Sequence, residues 1–165
     1  MADAYLDIET TGLSCQYAGI TVIGIYLVDG VNDRLVQLVG SDVTSGNLLE
    51  SLAGVNKIYP DNGSRFDLTF IHGSLNVDLA TLFSHHDLML DCCKRNLYGG
   101  FKAVEQQLGI LRQLQGIGGW DAVRLWWRYL DYGDSDALAT LLVYNTEDVI
   151  NLKILRERLE KGDSI

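Results

Sequence analysis

Two acidic residues, Asp7 and Glu9, lie in a segment, AYLDIETTGLS (4–14), whose first half predicts a buried strand. Side chains alternate between the two faces of a strand, so these carboxylates share one face, whereas Leu6 and Ile8 share the other. At a rise of roughly 3.3 Å per residue the two acids lie about 7 Å apart, close enough to bind a common ion or an ion pair. An exposed edge strand would also accommodate them, and these two residues alone leave both interpretations open.

A third acid, Asp148, is predicted to lie on the buried face of the long helix that residues 134–162 indicate. Steps of three or four residues define one stripe of this helix, which is apolar apart from Asp148 and the hydroxyl of Tyr144. A buried carboxylate is costly unless it is paired, hydrogen-bonded or metal-bound. Glu147 falls outside the stripe and can point to water. The stripe consists of Leu141, Tyr144, Asp148, Leu152, Leu155 and Leu159.

A fourth acid, Asp67, stands in NGSRFDLTF (62–70) at the start of a predicted helix. Taken alone it fits a helix-capping acid, because Ser64 precedes it by three residues. No lysine or arginine lies on the helix stripe or on the acidic strand face, although distant residues such as Arg65 or Lys102 could neutralise the acids. Four inward acids on three elements are explained together by Mg²⁺ or Mn²⁺, which prefer carboxylate oxygens.

The length of 165 residues favours one domain, 1–165, with 47% hydrophobic and 21% charged residues. A net charge of −9 argues against a general nucleic-acid binder, but bound cations would reverse the sign locally. Three cysteines without a C-x-x-C motif make a structural zinc site improbable. No signal peptide or membrane segment is apparent, so a cytoplasmic location is expected.

The order of predicted elements indicates an α/β fold with a mixed central sheet and helices on both faces. Three strands come first, and strands and helices alternate after them. The second and third strands are joined by a short polar turn, which suggests an antiparallel meander. The predicted strands are 4–9, 19–30, 35–40, 56–60 and 87–91, and the predicted helices are 44–54, 64–73, 101–110, 121–134 and 134–162. This order also matches a ribonuclease-H-like core.

Three motifs resemble those of the DEDD 3′–5′ exonuclease superfamily, which has the ribonuclease-H-like fold. They are LDIETTGLS, NGSRFDLTF and YNTEDV, and further stretches such as YGGFKAVEQQLGI and WWRYLDYGD extend the resemblance over nearly the whole chain. Within that superfamily the chain is most similar to the YprB-type ribonuclease-H-like domains. A tyrosine, Tyr144, stands four residues before the last acid and Val143 occupies the alternative histidine position, which indicates the tyrosine branch (DEDDy).

The resemblance implies that Asp7, Glu9, Asp67 and Asp148 bind two Mg²⁺ or Mn²⁺ ions that hydrolyse phosphodiesters. Tyr144 would orient the attacking water, because an ordinary tyrosine pKa near 10 makes it a poor base. The substrate-binding positions implied are Thr10, Thr11, Gly12 and Asn62. Asp61, in YPDNG, departs from the motif and is expected to weaken phosphate binding or to point outward.

The implied activity is a metal-dependent 3′–5′ exonuclease acting on the 3′ end of DNA or RNA, with single strands favoured. A non-catalytic binding module and a metal-dependent endonuclease on the same scaffold remain alternatives. The acidic balance suggests that a helper protein supplies basic surface. Lys102 and Arg112 could contact phosphate, and the aromatic residues Trp120, Trp126 and Trp127 could either stack on bases or pack a helix onto the core.

Overall fold

Five strands form one mixed sheet at the centre of the chain, whose computed structural model describes residues 1–61 and 64–162. The strands are β1 (Ala2–Thr10), β2 (Ile20–Val28), β3 (Arg34–Val39), β4 (Val55–Pro60) and β5 (Ser84–His85). They lie in the order β3-β2-β1-β4-β5. β2 and β3 pair antiparallel, as the sequence predicts, and β1 also pairs antiparallel with β2. β4 and β5 add in parallel on the other side of β1. β1 is therefore the central strand and not an exposed edge.

Seven α-helices in the described part of the chain surround this sheet. They are α1 (Ser45–Ser51), α2 (Thr69–Leu75), α3 (Leu79–Leu82), α4 (Leu88–Lys94), α5 (Phe101–Leu108), α6 (Gly119–Tyr132) and α7 (Ser135–Glu160). A π-helical turn, Ser64–Leu68, leads into α2. Gly109 and Gly133 end α5 and α6 in the left-handed conformation that glycine adopts without strain. Asp134 caps α7 by accepting a hydrogen bond from the backbone N–H of Ala137 at 3.1 Å.

The two faces of the sheet bury different sets of side chains, because residues along each strand alternate between the faces. On one face Leu6 and Ile8 pack against α1 and α2. On the other face Tyr5 packs with α4, α5 and α7, and Val22 packs with α6 and α7. Asp7 and Glu9 follow Tyr5 in the same alternation and point towards the face that α7 covers.

The predicted strand 87–91 is wrong, because this segment begins helix α4. The side chain of Asp87 accepts a hydrogen bond from the backbone N–H of Met89 at 2.9 Å and so caps the helix. The fifth strand instead comprises Ser84 and His85, which pair in parallel with β4. An apolar run of five residues fits a buried strand and a buried helical turn equally well, and here the cap favours the helix.

The predicted fold class is confirmed: a mixed sheet is covered by helices on both faces, as in the ribonuclease-H-like fold. Among the described residues, none belongs to a helix with both the length and the apolar character that a bilayer span requires.

Candidate metal centre

Five acidic side chains line one cavity of about 380 Å³ beside the carboxyl ends of β1 and β4. We call this cavity the acid pocket and define it by Asp7, Glu9, Asp61, Asp67 and Asp148. Four of these acids were singled out from the sequence, and the structure brings all four to the same cavity. The fifth, Asp61, is the residue that departs from the motif.

The central strand places Asp7 and Glu9 two residues apart on the face that α7 covers. Their exposed fractions are 4% and 8%, so both carboxylates are almost removed from bulk water. The pairing of β1 with β2 shifts register between Glu9 and Thr10, a bulge that lies directly after the second acid. Bulges of this kind bend a strand and redirect its side chains.

Asp61 lies beside Asp7 because β1 and β4 run parallel. Leu6 pairs with Pro60, and the backbone N–H of Asp61 donates to the carbonyl of Leu6 at 2.8 Å. Asp7, Asp61 and Asp148 each present one carboxylate oxygen, and these three oxygens all lie within 4.8 Å of one another. The expectation that Asp61 points outward is therefore wrong, because the strand register turns it into the pocket.

Helix α7 supplies Asp148 and Tyr144 from successive turns of its buried stripe, and both side chains are buried. Glu147 lies off the buried stripe, as the sequence predicts, and is half-buried. Its carboxylate accepts hydrogen bonds from the backbone N–H groups of Gln113 and Leu114 at 3.1–3.2 Å. Glu147 thus fastens the segment between α5 and α6 to α7.

Asp67 reaches the acid pocket from the π-helical turn before α2 and is only 1% exposed. Such turns are rare and occur often at functional sites, because they redirect a side chain within a helix. This burial differs from that of an ordinary helix-start acid, which remains in contact with water.

Burial and mutual repulsion raise the pKa values of the strand acids. The pKa of Glu9 rises to about 8, first because of burial and then because of the charge of Asp148. The same two causes raise the pKa of Asp61 to about 7. Burial, followed by the charges of Glu9 and Asp148, raises the pKa of Asp7 well above its usual range. Without a bound cation, the ionised form of these acids is therefore unfavourable in the pocket.

Among the described residues, the buried pocket oxygens Glu9 Oε1 and Asp61 Oδ1 have no hydrogen-bond partner. Buried polar atoms are almost always satisfied, so unpartnered ones call for an explanation. A set of hard carboxylate oxygens converging on one cavity is the ligand type that Mg²⁺ and Mn²⁺ prefer. The residues present therefore fit a divalent cation.

Arg112, in the segment between α5 and α6, neutralises Asp148 from the side. Its Nη2 donates to Asp148 Oδ1, and its Nε lies 2.9 Å from both oxygens of Glu105. The buried Glu105 also accepts from the side-chain amide of Asn151. Composition and helix phase did not indicate this ion pair, because Arg112 lies outside every predicted element.

Lys102 contacts the hydroxyl of Tyr144 and lies over its ring, with 4.5 Å from Nζ to the ring centroid. Lys102 also lines the acid pocket. Burial, followed by the charge of Asp148, raises the pKa of Tyr144 above its usual range. The phenol therefore keeps its proton at neutral pH.

The predicted substrate-binding residues differ in their placement. Thr10 and Gly12 line the acid pocket, and the hydroxyl of Thr10 donates to the carbonyl of Gly12 at 2.6 Å. The hydroxyl of Thr11 instead accepts from the backbone N–H of Gly19 at 3.0 Å, which closes the loop after β1. Asn62 lies outside the described residues.

The rim of the pocket is apolar and in part exposed to solvent. Trp120, at the start of α6, is 65% exposed and lines the pocket together with Leu13 and Phe66. Trp126 is buried and packs α6 onto the core, which is the second of the two alternatives that the sequence left open.

The sequence belongs to the RNase H superfamily, whose family model matches residues 4–160. No curated protein sequence gives a significant match. The fold and the match together define the class of protein, an α/β domain of the ribonuclease-H-like type.

Solved structures with the same fold include nucleases. The apo form of one nuclease is 19% identical with a TM-score of 0.60, over 95% of this chain and 70% of that chain. NrnC of Brucella melitensis is 16% identical with a TM-score of 0.57, over 97% of this chain and 74% of that chain. The same protein with bound Mg²⁺ is 14% identical with a TM-score of 0.55 over the same shares.

Proposed function

We propose that this chain is a metal-dependent nuclease, and specifically a 3′–5′ exonuclease that hydrolyses phosphodiester bonds of single-stranded DNA or RNA. The observation that carries the proposal is the cluster of Asp7, Asp61 and Asp148, whose ligand oxygens lie within 4.8 Å of one another. The unpartnered oxygens of Glu9 and Asp61 support it. Membership of the RNase H superfamily and the order of the three motifs, which resemble those of DEDDy exonucleases, favour hydrolysis at a 3′ end.

Five carboxylates surround the pocket, while Lys102 is the one cationic side chain among the described residues that line it. This excess of negative charge supports binding of two divalent ions, Mg²⁺ or Mn²⁺, by Asp7, Glu9, Asp61, Asp67 and Asp148. Bound ions of this kind lower the pKa of an attacking water and neutralise charge on a leaving oxygen. They would also bring a phosphate to a protein whose net charge is −9.

Tyr144 is proposed to orient the attacking water and not to take its proton. Its hydroxyl oxygen accepts a hydrogen bond from Lys102. The hydroxyl proton is therefore not used in that bond and can be donated to a water molecule. The raised pKa keeps that proton on the phenol at neutral pH. Lys102, held at the same hydroxyl, adds one positive charge at the pocket wall, where a phosphate oxygen would be neutralised.

The exposed Trp120 supports contact with a nucleotide base, because an aromatic face at the lip of a phosphate-binding pocket stacks on bases of any sequence. The backbone around Thr10, Thr11 and Gly12, together with Asn62, is proposed to meet the terminal nucleotide. A helper protein that supplies basic surface would raise the affinity for longer strands.

A non-catalytic binding module is the second candidate, and the ion pair between Arg112 and Asp148 favours it. A built-in guanidinium neutralises one acid of the pocket without any metal. The unpartnered oxygens of Glu9 and Asp61 lie outside this ion pair, which is why we favour the enzyme.

A time course on DNA and RNA oligonucleotides labelled at either end, with Mg²⁺ or Mn²⁺, tests the proposal. Stepwise shortening from the 3′ end is expected, and it should stop when the 3′ end is blocked. Cleavage of a blocked strand would indicate an endonuclease. Asp7→Ala and Asp148→Ala should abolish cleavage, whereas Glu50→Ala, at an exposed acid on α1, should retain it. Wild-type rates in both pocket variants would refute the proposal.

A further inference from the structure

A buried amide on α7 contacts the central acid of the pocket. Asn145 follows Tyr144 in the sequence and is fully buried. Its Nδ2 donates to Asp7 Oδ2 at 2.9 Å and lies 3.3 Å from the backbone carbonyl oxygen of Asp7. Asn145 thus links the helix that carries Asp148 to the strand that carries Asp7.

The side chain of Asn145 reaches Asp7 by crossing β2 at a position that has no side chain. Gly24 is the antiparallel partner of Asp7. A Cβ atom added at Gly24 would lie 2.1 Å from Asn145 Oδ1 and 2.9 Å from its Nδ2, closer than real Cβ contacts allow. Glycine inside a strand is unfavourable relative to alanine and often marks such a close approach.

Gln37, on β3, fixes which end of the Asn145 amide faces Asp7. The Nε2 group of Gln37 donates to the carbonyl of Leu142 at 2.9 Å, and a carbonyl can only accept. The same NH₂ group lies 3.0 Å from Asn145, so the atom that Asn145 presents there is its oxygen. The amide nitrogen is therefore the atom that meets the carboxylate of Asp7.

We infer that Asn145, oriented by Gln37 across Gly24, is a positioning residue that holds one oxygen of Asp7 and leaves the other for a bound cation. This inference rests on the proposed function. A hydrogen bond to a carboxylate restores part of the solvation that burial removes, and it fixes the rotation of the carboxylate plane. Neighbours of this kind change the metal affinity of a site by about 10- to 100-fold.

A purely structural role for Asn145 would be to fasten α7 to the sheet. That role predicts loss of thermal stability without a change in metal affinity. The positioning role predicts loss of metal affinity in variants whose stability is retained. Two independent sets of substitutions test this prediction.

The first test measures Mn²⁺ affinity by titration calorimetry and stability by thermal unfolding in Asn145→Ala and Gly24→Ala. Both variants are expected to bind Mn²⁺ about 10- to 100-fold more weakly. The double variant is expected to bind no more weakly than Asn145→Ala, because the Cβ at Gly24 then has no amide to displace. Gly46→Ala, where an added Cβ has open space, is the matched control and should bind as the wild type does.

The second test uses Gln37→Glu, which is nearly isosteric and keeps the half-buried position filled. A carboxylate cannot donate to the Leu142 carbonyl, and it turns the NH₂ group of Asn145 towards itself and away from Asp7. Weaker Mn²⁺ binding is expected in a variant that still folds. This result decides between the two roles if the substitutions at Asn145 and Gly24 prevent folding.

Wild-type Mn²⁺ affinity in Gln37→Glu, and in every other variant that folds, would overturn this inference alone. Failure of the wild-type protein to bind Mn²⁺ would overturn the proposed function and this inference with it.

Discussion

The metal-free protein should lose stability as the pH rises, and a divalent cation should remove that loss. Glu9 has a pKa of about 8 in the folded protein against a reference value of 4.5. Between about pH 4.5 and about pH 8, Glu9 is therefore protonated in the folded state and ionised in the unfolded chain. The contribution of Glu9 to stability is complete below about pH 4.5 and is lost as the pH rises through about 8. Asp61, with a pKa of about 7, acts in the same direction over a lower range.

The magnitude follows from the size of that rise. About 3.5 pH units, at roughly 1.36 kcal/mol for each, correspond to roughly 5 kcal/mol for Glu9. For a chain of 165 residues this is about 10 to 20 °C in melting temperature. The charges that face Glu9 have opposite effects on its pKa: Asp148 and Asp61 raise it, whereas Lys102 lowers it.

Thermal unfolding followed by circular dichroism in a chelator, from about pH 5 to about pH 8, measures this dependence. The melting temperature should fall with pH in the chelator, and the stabilisation by added Mg²⁺ should grow over the same range. Glu9→Gln removes the titrating group and should flatten the slope, whereas Glu50→Gln should leave it unchanged. A metal-free melting temperature that rises with pH, or a slope that Glu9→Gln leaves intact, would refute the reasoning.

Four further substitutions separate the roles of the pocket residues. Arg112→Met leaves Glu105 buried without its ionic partner and should lower the free energy of unfolding by about 3–5 kcal/mol in a denaturant titration; an unchanged value would show that the ion pair contributes nothing. Tyr144→Phe should lower kcat and leave Mn²⁺ affinity in calorimetry nearly unchanged, and lost affinity would contradict an orienting role. Asp61→Asn should weaken Mn²⁺ binding about tenfold or more, since it removes a ligand charge; wild-type affinity would exclude Asp61 as a ligand. Trp120→Ala should weaken oligonucleotide binding in fluorescence anisotropy by about 1–3 kcal/mol, and equal binding would exclude stacking.

The alternation of side chains in a strand and the phase of a helix were enough to predict much of the pocket. Asp7 and Glu9 follow from period two, and Asp148 and Tyr144 follow from the apolar stripe on α7. These signals are local and depend only on backbone geometry, so a sequence displays them directly. The short polar turn between the second and third strands predicted their antiparallel pairing, which the structure confirms.

The parts that sequence reasoning missed depend on contacts between distant segments. Asp61 enters the pocket because β4 pairs in parallel with β1. The sequence signal for this placement is an acid at the carboxyl end of the strand that lies beside β1. Arg112 lies in an irregular segment, 36 residues from Asp148, and no periodic pattern predicts its direction. Asn145 lies beside the predicted stripe, and only the close approach at Gly24 explains why an amide is buried there.

Because Tyr144, Asn145 and Asp148 belong to one continuous helix, their directions are tied to the rotational phase of α7. One residue inserted between the start of α7 and Tyr144 would turn all three side chains by about 100° relative to the residues before the insertion. An insertion of four residues would bring them back to within about 40°. The arrangement of the pocket therefore depends on the length of that first stretch of α7.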